Sequence, residues 1–325
     1  MAWMDQISGY WVFVGAGIML LSCGITSYAN ILMKMDAIEL RDHANPGFIM
    51  FRKYVVLAVS LYVVGGIADL VSLGIVPLSL RACASVLTIP FNAVFAKVSL
   101  NESMSPVQII GSVVTVMSCL VAMIFAAKQE NPSSFIDDLD VKTPVIDLIL
   151  SKPVGLLTAA TMPLDLACLY LVYRHLPKAG THAGLPTFRG SFHRIVVLMS
   201  ATYAASYQTA WTNLIIKCIA MIAQESFMNP TLWVLVTILP LSAITQMVLM
   251  SSIMRLFETV VAIPPYQIAI TVWLVVFSAV AFEERVENLT GFVFSLLISF
   301  FGIFLVAIPS RRTRERTDFH LLVNV

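Results

Sequence analysis

Four ionisable side chains lie within long apolar stretches of the sequence, and their types could support chemistry. They are two carboxylates, Asp69 and Asp165, and two cations, Arg81 and Lys217. A charge at the centre of a membrane-spanning helix costs about 2.5–3.5 kcal/mol on insertion scales, so each must pair, face the protein interior or serve transport. Such carboxylates could bind a cation, and such cations could neutralise them or bind an anion.

The positions of these residues are compatible with two ion pairs. Asp69 lies near the end of the second apolar stretch and Arg81 shortly after the start of the third, at a similar depth. Asp165 lies near the middle of the fifth stretch, and the following stretch offers Lys217. A pair between Asp165 and Lys217 would brace the second half of the molecule or open and close with a bound ion.

The composition shows that membrane-spanning helices must position these residues. Apolar residues make up 58% of the 325-residue chain and charged residues 12%, against roughly 45–50% and 25% in soluble domains. An ordinary soluble enzyme is therefore excluded. The formal net charge is only +1, so the chain lacks the basic character of a nucleic-acid binder.

Nine apolar runs are long enough to cross a bilayer, which takes about 20 residues per helix. The sequence therefore predicts an all-α integral membrane protein with a nine-span helical bundle. The runs lie near residues 9–33, 54–73, 75–97, 107–127, 153–173, 195–223, 230–254, 256–282 and 290–309.

Charged residues are distributed unevenly between the connecting segments. Fourteen of the 20 Lys and Arg residues fall on one side of the nine crossings and four on the other. The positive-inside rule places the richer side in the cytoplasm, with the N-terminus outside or lumenal and the C-terminus inside. Ten acidic residues fall on the outer side, where Glu283 and Glu284 could form a vestibule that concentrates cations. Ordinary solvated carboxylates at span ends are the alternative.

Residues 82–126 and 258–310 share a layout. Each segment has a proline-interrupted apolar span, a short turn with glutamate, and a glycine (Gly111 or Gly291) that opens the next span. The segments run in opposite directions, as inverted repeats do in secondary transporters, where the site lies between the halves at interrupted helices. The interruptions are Pro90 and the pair Pro264–Pro265, although prolines also simply kink membrane helices.

This layout predicts two halves with two polar segments. The halves and segments are residues 1–127 (spans one to four), 128–152 (an acidic outer connector), 153–309 (spans five to nine) and 310–325 (a basic cytoplasmic tail).

Motifs in both repeats resemble those of the NIPA-type magnesium transporter family, within the drug/metabolite transporter superfamily. The third-span signature is matched by Ser79-Leu80 to Ser85 and by Leu100-Asn101-Glu102. The penultimate-span motif is matched in type and spacing by Pro264-Pro265-Tyr266, Thr271, Ser278-Ala279 and Phe282-Glu283-Glu284. The chain departs from the family where a second-span glutamate falls on Gly66, an asparagine becomes Asp69 and a third-span proline falls on Cys83.

The resemblance implies a transporter, not an enzyme, that moves Mg²⁺ or another divalent cation between the repeats. Asp69 would hold a partly hydrated Mg²⁺, because this ion keeps several waters and uses only one or two carboxylates. The expected substrate pathway consists of Asp69, Asn92, Asp165, Lys217, Tyr266 and Thr271. The ion is cargo and no resident cofactor is expected. The partners are the cation and the lipid bilayer of a plasma or endosomal membrane, and the oligomeric state stays open.

Two other functions remain compatible with the sequence. A drug/metabolite-type transporter of an anionic organic solute, such as a nucleotide sugar, would use Arg81 and Lys217 to bind phosphate. A non-transporting membrane scaffold is the second alternative, and the polar residues within spans argue against it.

Overall fold

Ten helices make up the regular structure of the described residues in this computed structural model. The described residues are 2–42, 53–100, 105–126, 152–175, 191–225, 227–256, 259–282 and 288–307, and they contain no strand. The helices are α1 (Ala2–Asp42), α2 (Lys53–Leu73), α3 (Leu78–Val86), α4 (Thr88–Leu100), α5 (Pro106–Ala126), α6 (Lys152–His175), α7 (Ser191–Glu225), α8 (Pro230–Leu256), α9 (Thr259–Ala281) and α10 (Leu289–Ala307).

Eight spans in the described part of the chain are long and apolar enough to cross a membrane, with α3 and α4 together forming one of them. The predicted multi-span helical membrane protein is thereby confirmed. The ninth predicted span corresponds to α7, which has 35 residues but is not among the eight. The nine-span count therefore stays a prediction.

Helix α7 lies at the centre of the bundle. Every residue from Ser200 to Ala223 is buried or half-buried, and α7 packs against α2, α6, α8 and α9. Helices that border lipid need an apolar surface, whereas a helix enclosed by other helices can carry polar side chains that bond to its neighbours. This location explains how α7 can carry buried polar side chains such as Thr209 and Asn213.

The outer helices present apolar side chains to the surroundings. On α6, Leu156, Met162 and Leu166 are more than half exposed, whereas Val154 and Val172 are buried. Residues three and four apart share a helix face, so α6 has one lipid-facing side and one side packed on α7.

The two repeat segments pack against each other through α3 on α9 and α5 on α10, and the order of the contacts is antiparallel, since Gln108 bonds to Val306 and Phe125 lies against Gly291. The α5–α10 crossing is close because Gly111 and Gly302 face each other. A Cβ at Gly111 would lie 2.7 Å from the Gly302 carbonyl oxygen. The expectation that Gly111 opens its span is wrong, since it lies in the second turn of α5. Gly291 does lie in the first turn of α10, against Phe125.

The structure leaves the predicted boundaries of the two halves untested. The tail and nearly all of the acidic connector lie outside the described residues.

Candidate functional site

The break between α3 and α4 is the irregular backbone at the centre of the site. Pro90 has no N–H and its ring clashes with the carbonyl of Val86, four residues earlier, so a regular helix cannot continue. The chain instead turns at Leu87, whose N–H donates to the Ala84 carbonyl at 3.0 Å. The interruption predicted at Pro90 is confirmed.

Helix α9 stays continuous through the second predicted interruption. It runs from Thr259 to Ala281 with Pro264 and Pro265 inside it. The prolines remove N–H groups whose acceptors would be carbonyls in the first turn of α9. These missing hydrogen bonds lie near the start of the helix, where few intrahelical bonds exist in any case. The prediction of a break at this pair is therefore wrong.

Uncharged oxygen atoms join the break to α9. The Thr88 hydroxyl donates to Gln267 Oε1 at 2.8 Å, and the hydroxyls of Ser85 and Thr271 lie 3.3 Å apart. Gln267 and Thr271 are buried. The two repeat segments therefore cross at a buried polar contact.

Asp69 and Arg81 form a buried ion pair. Arg81 Nη2 lies 2.7 Å from Asp69 Oδ2, and both side chains are 9% exposed. The other carboxylate oxygen, Asp69 Oδ1, is buried without a hydrogen-bond partner. The neighbouring Ser22 hydroxyl donates instead to the Gly65 carbonyl at 3.1 Å. The feasible pair is confirmed, and one oxygen of its carboxylate remains available.

The rest of the Arg81 guanidinium contacts α1 and α7, and further hydrogen bonds lead from α7 to α9. Nη1 donates to Cys23 Sγ at 3.1 Å, and Nε donates to Asn213 Oδ1 at 3.4 Å. Asn213 Nδ2 donates to the Thr209 carbonyl at 2.8 Å, and the Thr209 hydroxyl lies 2.9 Å from the Tyr266 hydroxyl. The network thus includes Tyr266, one of the predicted pathway residues.

Asn92 has a buried amide with no hydrogen-bond partner at either polar atom. It is 5% exposed and lies one turn after Thr88, on the same face of α4. More than about 90% of buried polar groups in proteins are hydrogen-bonded, so an amide with both atoms unpaired is unusual. Its position beside the Thr88–Gln267 contact makes it a candidate ligand-facing group.

The predicted pair of Asp165 with Lys217 is not formed. Asp165 Oδ2 accepts a hydrogen bond from Gln208 Nε2 at 2.8 Å, nine residues and about 14 Å before Lys217 on α7. Lys217 Nζ donates to the carbonyls of Leu73 and Val76, each at 2.8 Å. The reason is that α2 ends at Leu73, where helix carbonyls lack intrahelical partners and attract a cation.

The predicted vestibule residues, Glu283 and Glu284, lie outside the described residues, as does Glu102. Among the residues that the structure describes, no group of three or more His, Cys, Asp or Glu could hold a metal ion. The site contains one free carboxylate oxygen, from Asp69, and neutral oxygens from the hydroxyls of Tyr266 and Thr271 and the amide of Asn92. Such a set suits a cation that retains much of its hydration.

Comparison with known proteins decides the family. The model of the family described as magnesium transporter NIPA matches residues 10–315. The chain belongs to the NIPA magnesium transporter family. It is similar to magnesium transporter NIPA4 of Mus musculus, with 23% identity over 94% of this chain and 73% of the relative. No solved structure matches the chain.

Family membership confirms the resemblance inferred from the sequence motifs. It also supports a multi-pass membrane protein of a transporter family and not of an enzyme family. In this NIPA-family chain, Asp69 and Tyr266 belong to the hydrogen-bond network of Arg81. Thr271 lies next to that network, at its contact with Ser85. Asp165 lies apart from it on α6.

Sequence reasoning missed the polar residues of α7 and Gln267 of α9. Thr209 and Asn213 are spaced four residues apart, and both are buried. That spacing within an otherwise apolar run indicates one polar face on a helix. It could have identified α7 as a helix that lines the site.

Proposed function

We propose that this chain transports Mg²⁺ or a related divalent cation through the polar interior between the two repeat segments. The observation that carries the proposal is the Asp69 carboxylate, which is buried inside a membrane helix bundle and has one oxygen without a partner. Membership of a magnesium transporter family supports a divalent cation as the cargo.

The ion pair with Arg81 keeps the site electrically balanced when no cation is bound. A lone carboxylate at this depth would carry the full cost of an uncompensated charge. A divalent cation that approaches Oδ1 repels the guanidinium, so Arg81 moves from Asp69 while it keeps its contacts with Cys23 and Asn213. The cation then replaces Arg81 as the counter-charge of Asp69.

Neutral oxygens provide the next contacts along the pathway. The hydroxyl of Tyr266, the hydroxyl of Thr271 and the amide of Asn92 lie on helices that meet at the α3–α4 break. Hydroxyl and amide oxygens hold a hydrated cation weakly, which allows it to leave. Asp165 and Lys217 have other contacts, and we assign neither of them to the cation path.

The direction of the pathway follows from the charge distribution of the sequence. We propose that the N-terminus is outside or lumenal, that the C-terminus is cytoplasmic, and that the acidic outer surface concentrates cations before entry. A plasma or endosomal membrane fits this arrangement.

The test is Mg²⁺ uptake by the purified full chain in liposomes loaded with a Mg²⁺-sensitive dye, at fixed ionic strength and with an imposed voltage. We expect the wild type to take up Mg²⁺ and Asp69→Asn to lose uptake while it remains folded. The matched control is Ser60→Ala, because Ser60 lies on the exposed face of the same helix and its loss should leave uptake intact. Normal uptake by Asp69→Asn, or no uptake by folded wild type, would overturn the proposal.

An anionic organic solute is supported less well by the structure. Arg81 and Lys217, the two cations that this alternative needs, are both engaged by protein acceptors. A nucleotide sugar that protects the chain from thermal unfolding, with no protection by Mg²⁺, would reverse this preference.

A further inference from the structure

Asp165 is a second buried carboxylate, separate from the Asp69 network. It is 3% exposed and lies 12 residues after Pro153 and nine before Arg174, the ends of the apolar part of α6. At 1.5 Å per residue, these ends are about 18 and 14 Å away. The carboxylate is therefore close to the centre of the bilayer.

Asp165 has no ionic partner in the part of the chain that the structure describes. Among the described residues, its one hydrogen-bond donor is Gln208 Nε2, at 2.8 Å to Oδ2, and Oδ1 is buried without a partner there. One neutral amide does not compensate a negative charge at this depth. The site therefore requires a positively charged ligand for at least part of the time.

The surroundings favour a very small ligand. In the described part of the chain, the titratable side chains that interact with Asp165 are Tyr203 on α7 and Cys168 on α6 itself, and Tyr207 stacks on Tyr203. Tyr207 bonds to the Thr161 hydroxyl at 2.8 Å, and its ring packs against Trp273 of α9 at 5.0 Å between centroids. The described part of α9, the other helix that packs on α6, contains no Asp, Glu, Lys, Arg or His from Ala262 onward. Its titratable Tyr266 bonds to Thr209 of α7.

A metal ion would lack ligands at this position. The described residues contain no cluster of three or more acidic, cysteine or histidine side chains, and Asp165 offers a single free oxygen. A proton needs only that oxygen. Carboxylates inside membrane segments commonly serve as proton carriers in transporters.

Helix α7 connects this carboxylate with the Asp69 network. Gln208, which donates to Asp165, is adjacent in sequence to Thr209, which contacts Tyr266. One turn later, Asn213 accepts from Arg81. A hydrogen bond to a charged carboxylate is roughly twice as strong as one to a neutral group. Protonation of Asp165 therefore weakens the hydrogen bond from Gln208 that joins α7 to α6.

We infer that Asp165 is a proton-binding site whose occupancy is transmitted through Gln208 and α7 to the cation site at Asp69. Oδ1 takes up the proton, and the Gln208 bond to the carboxyl group weakens. Helix α7 then shifts relative to α6 and carries Asn213 and its contact with Arg81 with it. The proton site depends only on the geometry around Asp165, whereas its coupling to cation movement rests on the proposed function.

The proton site is tested by infrared difference spectroscopy of the purified full chain in lipid between high and low pH. A protonated carboxyl group has a C=O band that a carboxylate lacks. We expect such a band in the wild type and its loss in Asp165→Asn, with circular dichroism showing that the variant is folded. An unchanged set of carboxyl bands in Asp165→Asn would overturn the inference, whether or not the chain transports Mg²⁺.

The coupling is tested by Mg²⁺ uptake into liposomes with and without a pH gradient at a fixed voltage. We expect a several-fold effect of the gradient in the wild type and none in Asp165→Asn. Gln208→Leu should keep the infrared band but lose the effect of the gradient, a result that a merely structural role would not give. A full gradient effect in both variants would contradict the coupling. Absence of all uptake by folded wild type would instead count against the proposed function and leave the infrared result as the test of the proton site.

Discussion

Arg81 determines how the Asp69 carboxylate can act. Its guanidinium donates to one carboxylate oxygen and also to Cys23 and Asn213, so three helices other than its own hold it. This geometry allows the bond to Asp69 to break while the other two contacts remain. Under the proposed function, Arg81 is thus an internal cation that competes with the transported one for Asp69.

Arg81→Gln should expose this competition. Removal of one partner of a buried ion pair typically costs about 3–5 kcal/mol, because the other charge is left uncompensated. We therefore expect the variant to unfold at a lower temperature than the wild type in detergent. Added Mg²⁺ should restore stability more strongly in the variant, since it then binds Asp69 without competition.

The control for this experiment is the double variant Asp69→Asn/Arg81→Gln, which removes both charges. It should be more stable than Arg81→Gln alone and insensitive to Mg²⁺. If Mg²⁺ stabilises the double variant as much as it stabilises Arg81→Gln, the ion binds elsewhere and Asp69 is not its ligand.

The sequence predicted the Asp69–Arg81 pair because both residues lie at the same end of consecutive spans. It failed for Asp165 and Lys217, because shared membership of neighbouring spans does not fix the depth of each residue. Lys217 instead donates hydrogen bonds to the carbonyls of Leu73, at the end of α2, and of Val76, just after it. Such backbone acceptors depend on tertiary packing and have no signature in the spacing of charged residues.

At the level of helices, α7 is the element that contacts both Asp165 and the network around Arg81. One part of its surface faces α6 through Gln208, and another faces α9 and Arg81 through Thr209 and Asn213. The α3–α4 break was foreseen from Pro90, since the effect of a proline on the preceding turn is local. The partner of that break, Gln267, could not be foreseen, because it is set by how two distant helices cross.

The crossing of α5 and α10 should be sensitive to a single methyl group. A Cβ at Gly302 would lie 2.5 Å from Thr115 Oγ1 and 2.9 Å from the Gly111 carbonyl oxygen. The Thr115 hydroxyl itself bonds that carbonyl at 2.8 Å, so it cannot turn away without loss of the bond. Overpacking of this kind costs roughly 1–3 kcal/mol, and we expect Gly302→Ala to lower the thermal unfolding midpoint in detergent.

Gly17→Ala is the matched control for Gly302→Ala. A Cβ at Gly17 on α1 would meet nothing within 4 Å, and alanine favours a helix over glycine by about 1 kcal/mol. This variant should therefore keep or raise the unfolding midpoint. Equal midpoints for the two variants would mean that α5 and α10 do not approach each other this closely.

At the scale of the whole molecule, the enclosure of α7 explains why this helix is not among the eight spans of the described residues that are apolar enough to cross a membrane. The eight spans include lipid-facing helices such as α6 and α8, with large exposed apolar side chains. Helix α7 is surrounded by four other helices, so its side chains need not resemble lipid. With 35 residues and about 1.5 Å per residue, it is about 52 Å long and exceeds the ~30 Å hydrocarbon core.

The sidedness of the segments before and after α7 should therefore reveal the ninth crossing. Arg174, near the end of α6, and Met228, just after α7, are both exposed. We expect Met228→Cys in intact cells to react with a membrane-impermeant thiol reagent from outside, and Arg174→Cys to react only after permeabilisation. The native cysteines give little background, because all five are buried. If α7 did not cross the membrane, both introduced cysteines would react from the same side. Helix α7 would then be unable to link Asp165 and Arg81 from within the bilayer.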